Sequence, residues 1–218
     1  MGSSVRRLLL AAALLLALVA AQAALAESPV TRFTLADQAA AKAVVLKAAD
    51  LGTGWKGGLS KPTVDGPPAC AGWNPKQSDL VITGAAESQF TAQGLMAFSG
   101  VQLYKTTRMI ALDWQRTVVH PRMPNCLARD FAADAGEGVR VVSMKRLPFA
   151  KIAPYAARFR LLLEYTEGET VRVFFDIVLV GRGRTAISLG FMAPYAGRAE
   201  VEAAELRLAR LLLARIKA

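Results

Sequence analysis

The stretch that decides the fold is ARFRLLLEYTEGETVRVFFDIVLVGRGRTAISLGFM, Ala157 to Met192. Its apolar residues fall on odd positions: Phe159, Leu161, Leu163 and Tyr165, then Val171, Val173, Phe175, Ile177 and Leu179, then Thr185, Ile187, Leu189 and Phe191. A period of two belongs to strands with one buried face, so three consecutive antiparallel strands are predicted. Gly181-Arg182-Gly183 reads as a three-residue hairpin loop, which sets Ile177 opposite Ile187. Glu167-Gly168-Glu169 closes the preceding hairpin and places Glu164 opposite Arg172 and Arg160 opposite Asp176, two cross-strand pairs of opposite charge. In this register the odd positions pack inward. The even positions form a second face carrying Arg158, Arg160, Glu164, Arg172, Asp176 and Arg184.

Working outward, Arg198 to Lys217 is a basic amphipathic helix with an apolar stripe of Val201, Ala204, Leu208, Leu211 and Leu212. Such a helix can lie on a membrane, but the inward face of the sheet needs a cover, so the stripe is assigned to it. Upstream, Val139 to Arg146 is a further strand. Thr106 to Val119 has helical spacing through Ile110, Trp114 and Val118, and Asn125 to Ala133 is a short second helix. Glu87 to Ala92 and Leu95 to Tyr104 are strands joined near Gln93-Gly94. A helix from Leu35 to Ala49, capped by Thr34 with Asp37 at the capping-box position, buries Val44, Val45 and Ala48. The segment Lys56 to Ser78 is rich in Gly and Pro and irregular. The predicted fold is therefore α+β, a mostly antiparallel sheet with helices packed on one face, in the order α-ββ-αα-ββββ-α.

The opening residues MGSSVRRLLLAAALLLALVAAQAALAES set the compartment. Arg6 and Arg7 precede an apolar run from Leu8 to Ala21, and Ala24-Leu25-Ala26 is an A-x-A cleavage signature. The run is shorter than the roughly 20 residues a spanning helix needs. Residues 1–26 thus read as a signal peptide, the rival being a retained anchor, and residues 27–218 as one secreted or extracytoplasmic α+β domain with no transmembrane span after cleavage. Export makes a Cys70–Cys126 disulfide the default for the only two cysteines. On the chain-entropy account a bridge of that span contributes about 4 kcal/mol.

The stretch Val44 to Trp55, VVLKAADLGTGW, has a helix running into an Asp-Leu-x-x-Gly-Trp break. With the Cys126 segment and the closing hairpins and helix, it resembles a group of actinobacterial secreted proteins and lipoproteins. It also resembles the extracellular sensor domain of mycobacterial receptor Ser/Thr kinases, of PsbP-like fold. This chain has one Cys pair where that kinase sensor has two. The resemblance implies a ligand-binding or scaffold module without catalysis, and it carries over no functional residue.

Composition narrows the function further. Hydrophobic residues make up 53% and charged residues 20%, which excludes a disordered chain. Two Cys and one His are too few for the common structural zinc sites, and no dinucleotide, P-loop, nucleophile-elbow or His-Glu-x-x-His motif is present. No cofactor, metal or catalytic residue is assigned. The net charge of +10, two units of which leave with Arg6 and Arg7, suits anionic surfaces or serves solubility. Nucleic acid is a poor partner for an exported chain without a recognition motif. His120 ends a helix and caps it. Asp113, Asp130, Asp134, Glu137, Glu164 and Asp176 are the carboxylates open to glycosidase chemistry. The assigned ligand-binding residues are Trp55 and Trp73, flanking the bridge, and the Arg wall of Arg158, Arg160, Arg172 and Arg184, whose forks suit carboxylate or phosphate. The function expected is an exported, non-enzymatic binding module of the cell envelope, taking a small molecule, lipid or anionic envelope component in a groove between sheet and helices. A hydrolase of envelope polymers and a structural or interaction protein are the alternatives.

N-terminal sequencing of the exported protein should begin at Glu27 within a few residues; intact Met1 recovered from membranes would contradict the cleavage.

Overall fold

A computed structural model describes residues 27–68, 70–166 and 170–217. The signal segment predicted at residues 1–26 and the loop predicted at Glu167-Gly168-Glu169 lie outside these residues. The elements are β1 (Val30–Thr31), α1 (Leu35–Val44), α2 (Ala48–Leu51), β2 (Lys56–Ser60), β3 (Val81–Ala92), β4 (Leu95–Tyr104), α3 (Thr107–Arg116), α4 (Met123–Asp134), β5 (Val139–Leu147), β6 (Tyr155–Tyr165), β7 (Val171–Arg182), β8 (Thr185–Pro194) and α5 (Arg198–Ala214). Seven strands follow the order β1-β3-β4-β8-β7-β6-β5, and β2 also pairs with β3. Only the β1–β3 contact is parallel. The α+β class, the antiparallel sheet and the main order of elements are as expected. Among the described residues no helix is long and apolar enough to cross a membrane.

Local chemistry accounts for the element ends. The Thr34 hydroxyl accepts from the Asp37 amide and starts α1. The helix expected to reach Ala49 stops at Val44. There the chain straightens, burying Val45 and Leu46 and letting the Leu46 amide donate to Ser99 Oγ, and Ala48 becomes exposed. The β3–β4 turn is Gln93-Gly94, both at positive φ, which is the two-residue turn that matches strand twist. Lys56 to Ser60, read as irregular, pairs with Thr91 to Glu87 along the outer side of β3.

The register of β6 on β7 is the expected one, with Glu164 opposite Arg172 and Arg160 opposite Asp176. That of β7 on β8 is not. Arg182 pairs with Thr185, so the loop is the two residues Gly183-Arg184, with Gly183 at φ +59. Glycine in the first central position at positive φ is the II′ pattern. Ile187 therefore lies opposite Val180 rather than Ile177. A slip by an odd number of residues exchanges faces. Odd residues of β8 share a face with even residues of β7.

The consequence is a sheet covered on both sides. On one face Val178, Val180, Ile187 and Leu189 pack under α1 and α5 with Leu208 and Leu212. On the other, Phe159, Leu161, Phe175 and Ile177 pack with Trp73, Met123 and Cys126. Helices on one face only, and Phe159, Leu163, Phe175 and Ile187 in a single layer, are corrected accordingly. The Leu stripe of α5 does seat on β7 and β8. Cys70 and Cys126 form the expected disulfide, with Cα atoms 5.9 Å apart, tying the segment before β3 to α4.

Two cores predict two sensitive substitutions. Phe159→Ala should cost about 3–5 kcal/mol and Leu208→Ala about 2–5 kcal/mol in urea melts. A neutral result for either would mean that its face is not packed.

Candidate functional site

The face under α3 and α4 is built from rows that cross the strands. One row runs Glu87, Gly100, Ser188, Leu179; the next runs Ala85, Gln102, Ala186, Gly181. These rows are made mostly of small side chains, so the sheet recedes there. Farther along, Phe98 lies over Gly190, where a Cβ would collide with its ring, and its ring centroid is 5.4 Å from that of Phe175. Phe131 packs edge-on against Phe175. Aromatics fill that end of the face, and the small-residue end is left as a cavity of about 310 Å³. Such a volume is at the lower end of small-molecule sites.

The roof is the segment between β2 and β3, together with α3 and α4. It is pinned at many points. The Thr63 amide donates to Glu87 Oε1 at 2.8 Å. Arg116 forks onto Asp79 and donates to the Lys76 carbonyl. Trp73 is 4% exposed, donates through its indole N–H to the Arg116 carbonyl at 3.0 Å and stacks on His120. The disulfide adds a covalent tie. Trp114, Met123 and Leu127 supply the apolar side of the roof.

One wall carries a polar group of three. Asp113 accepts from Tyr104 Oη at 2.7 Å and from Gln77 Nε2 at 3.1 Å. Burial raises the Asp113 carboxyl above its ordinary range, against the lowering by those donors. Burial and the adjacent Asp113 raise Tyr104 well above the usual phenol value, so its hydroxyl stays a donor at neutral pH.

The six residues assigned from sequence are dispersed. Trp73 lines the cavity. Trp55 packs against the opposite core, beside α1 and α5. Arg158 and Arg160 lie beneath α5 and are spent on internal partners. Arg160 donates to both oxygens of Asp176 at 2.6 Å, lies over the Phe174 ring and also reaches Glu202. Arg158 Nη2 donates to Glu202 at 2.7 Å, and its Nε faces Asp176 and Glu205 at 3.7 and 3.5 Å. Arg172 shares Glu164 with Arg140 at the margin. Arg184, in the turn, is held by Asp37, Thr83 and the Tyr104 carbonyl and borders a separate groove with Arg182, Arg215 and Lys217. Asp37 thus serves this pair rather than a capping box. An open Arg wall is not formed, because the β8 register brings α5 over the even face of β7. His120 stacks on Trp73, and its Nδ1 accepts from the Arg122 amide.

Reading the sequence missed Tyr104, Gln77 and Glu87, and weighed Asp113 only as one acid among six. The signal was the small residues inside strands, Gly100, Ala186 and Ser188, since glycine within a strand marks a lost side-chain layer or a close approach. Comparisons with protein-family models, curated proteins and solved structures return no match to this chain.

The charge network under α5 makes its own prediction. Glu205 is fully buried, neither of its oxygens has a hydrogen-bond partner, and burial with Asp176 nearby raises its carboxyl to about 9. A folded value above the unfolded 4.5 means that its stabilisation is complete below pH 4.5 and is lost as pH climbs toward 9. Glu205→Gln, neutral throughout, should be more stable at neutral pH by about 1–3 kcal/mol, with the gap closing in acid. Urea melts across pH measure this; a less stable variant at neutral pH contradicts it.

Proposed function

We propose that the chain is an exported, non-enzymatic binding module that holds an apolar small molecule between its sheet and the α3–α4 layer. The observation that carries the reading is the 310 Å³ cavity, floored by Gly100, Ala186 and Ser188 and bounded by Trp73 and Trp114. A core under stability pressure alone packs out such space, since voids cost free energy in proportion to their volume. Here a pinned roof keeps it. The mixture of aromatic surface and a few placed polar groups is what small-molecule sites use for affinity and orientation. The sensor-domain resemblance points the same way. A hydrolase has less support, because the Trp73 indole stacks on His120 and the Arg122 amide donates to its Nδ1. Binding of an anionic polymer along the Arg wall also has less support, since Arg158 is buried, Arg160 is partly buried, and both are already paired.

Mass spectrometry of material extracted from natively secreted protein should find a small apolar compound, and Ser188→Leu, which projects a side chain into the cavity, should lose it. The variant should weaken rebinding by about tenfold or more, while Ser188→Ala retains it. Wild-type protein that emerges empty and rebinds no apolar compound would overturn the reading.

A further inference from the structure

We propose that this cavity selects an apolar molecule bearing a protonated amine over its neutral and carboxylate counterparts. The inference rests on the reading of the cavity as a ligand site and adds the charge of what fills it. The chain carries 27 basic against 17 acidic side chains. Yet among the described residues lining the cavity the charged ones are Asp65, Glu87 and Asp113, with no Lys or Arg. Away from the cavity Asp37, Asp50, Asp79, Glu164 and Asp176 each sit against an arginine, while the described acids Glu27, Asp130, Asp134, Glu137 and Glu200 do not. Among the described residues none of the three cavity carboxylates forms such a pair. The nearest cation to Asp113 on its own helix, Arg116, is taken by Asp79.

The three acids are not equivalent. Both oxygens of Asp113 are occupied by Tyr104 and Gln77. Asp65 is exposed. Glu87 stands where roof and floor meet, at the head of the row through Gly100 and Ser188, and among the described residues only its Oε1 is engaged, by the Thr63 amide. Gln77, 2% exposed and lining the same space, uses its amide nitrogen on Asp113 and leaves its carbonyl oxygen to accept. Glu87 and Gln77 together make an acceptor-rich end that suits an N–H donor. Trp73 and Trp114 offer aromatic rings, whose negative faces attract a cation in a desolvated site. A carboxylate in the same position would lose its water without meeting a cation, beside Glu87.

The test is calorimetric titration of the mature protein at neutral pH with three molecules sharing one ring system: naphthylmethylamine, naphthylmethanol and naphthoate. The amine should bind about tenfold tighter than the alcohol, with naphthoate weakest. That order runs against the net positive charge, which on its own favours naphthoate. Glu87→Gln keeps an acceptor for Thr63 and should erase the amine's advantage over the alcohol while leaving the urea midpoint unchanged; Asp65→Asn should leave the advantage in place. Equal affinities overturn the charge selection and leave the cavity standing as a neutral site; naphthoate tightest, and lost in Ser188→Leu, overturns it and makes the cavity an anion site. No binding by any of the three removes the cavity reading itself, and this inference with it.

Discussion

The two-residue turn Gly183-Arg184 is the constraint on which the rest depends. Its glycine adopts a positive φ that a side chain disfavours, and this lets Arg182 pair directly with Thr185. Parity follows from that pairing. It sends Ile187 and Leu189 to the face of Val178 and Val180 and so creates the site on which α5 seats. It also sets Ser188 beside both Gly100 and Leu179, aligning the small residues that hollow the other face. The same Arg184 is then held by Asp37, fastening the turn to α1 across the chain.

Much of the architecture was legible in sequence. Alternation over β6, β7 and β8 identified the strands, opposite charges located the β6–β7 register, and the Gln93-Gly94 turn fixed the first hairpin. An expected export signal and two cysteines pointed to the bridge. The failure with the widest consequence was one count: two loop residues rather than three between β7 and β8. Either loop is compatible with Gly-Arg-Gly, and the choice is made by packing on both sides of the sheet. A clue was present in β7, VRVFFDIVLV, where Phe174, Val178 and Val180 are apolar at even positions too. Near-continuous apolar character marks a strand buried on both faces. With that face expected outward, Arg158 and Arg160 read as available, whereas the structure packs them against Asp176, Glu202 and Glu205.

The two faces solve opposite problems. Under α5 the sheet accepts charge and neutralises it internally, with each arginine shared between carboxylates. Under α3 and α4 it stays mostly apolar, and among the described residues its few acids form no ion pair. A buried ion network is a weak source of net stability, but it fixes where a helix sits, because a displaced α5 would leave Asp176 and Arg160 desolvated and unpaired. The cavity face needs no such specificity within the sheet. Its shape is held by the roof, through Thr63–Glu87, Arg116–Asp79, Trp73 and the disulfide. The candidate site is thus formed by a sheet floor and a strapped roof of irregular chain, and the irregularity of residues 61–68 and 70–80 is the means by which backbone and side-chain groups converge on it.

The three tryptophans divide between these faces and provide the most direct measurement. Trp73 and Trp114 border the cavity, whereas Trp55 packs on the far core. Fluorine NMR of fluorotryptophan-labelled protein, titrated with naphthylmethylamine, should shift the resonances of Trp73 and Trp114 and leave that of Trp55 in place. Movement of Trp55 alone, or no movement of any resonance at saturating probe, would contradict a ligand site between the sheet and the α3–α4 layer.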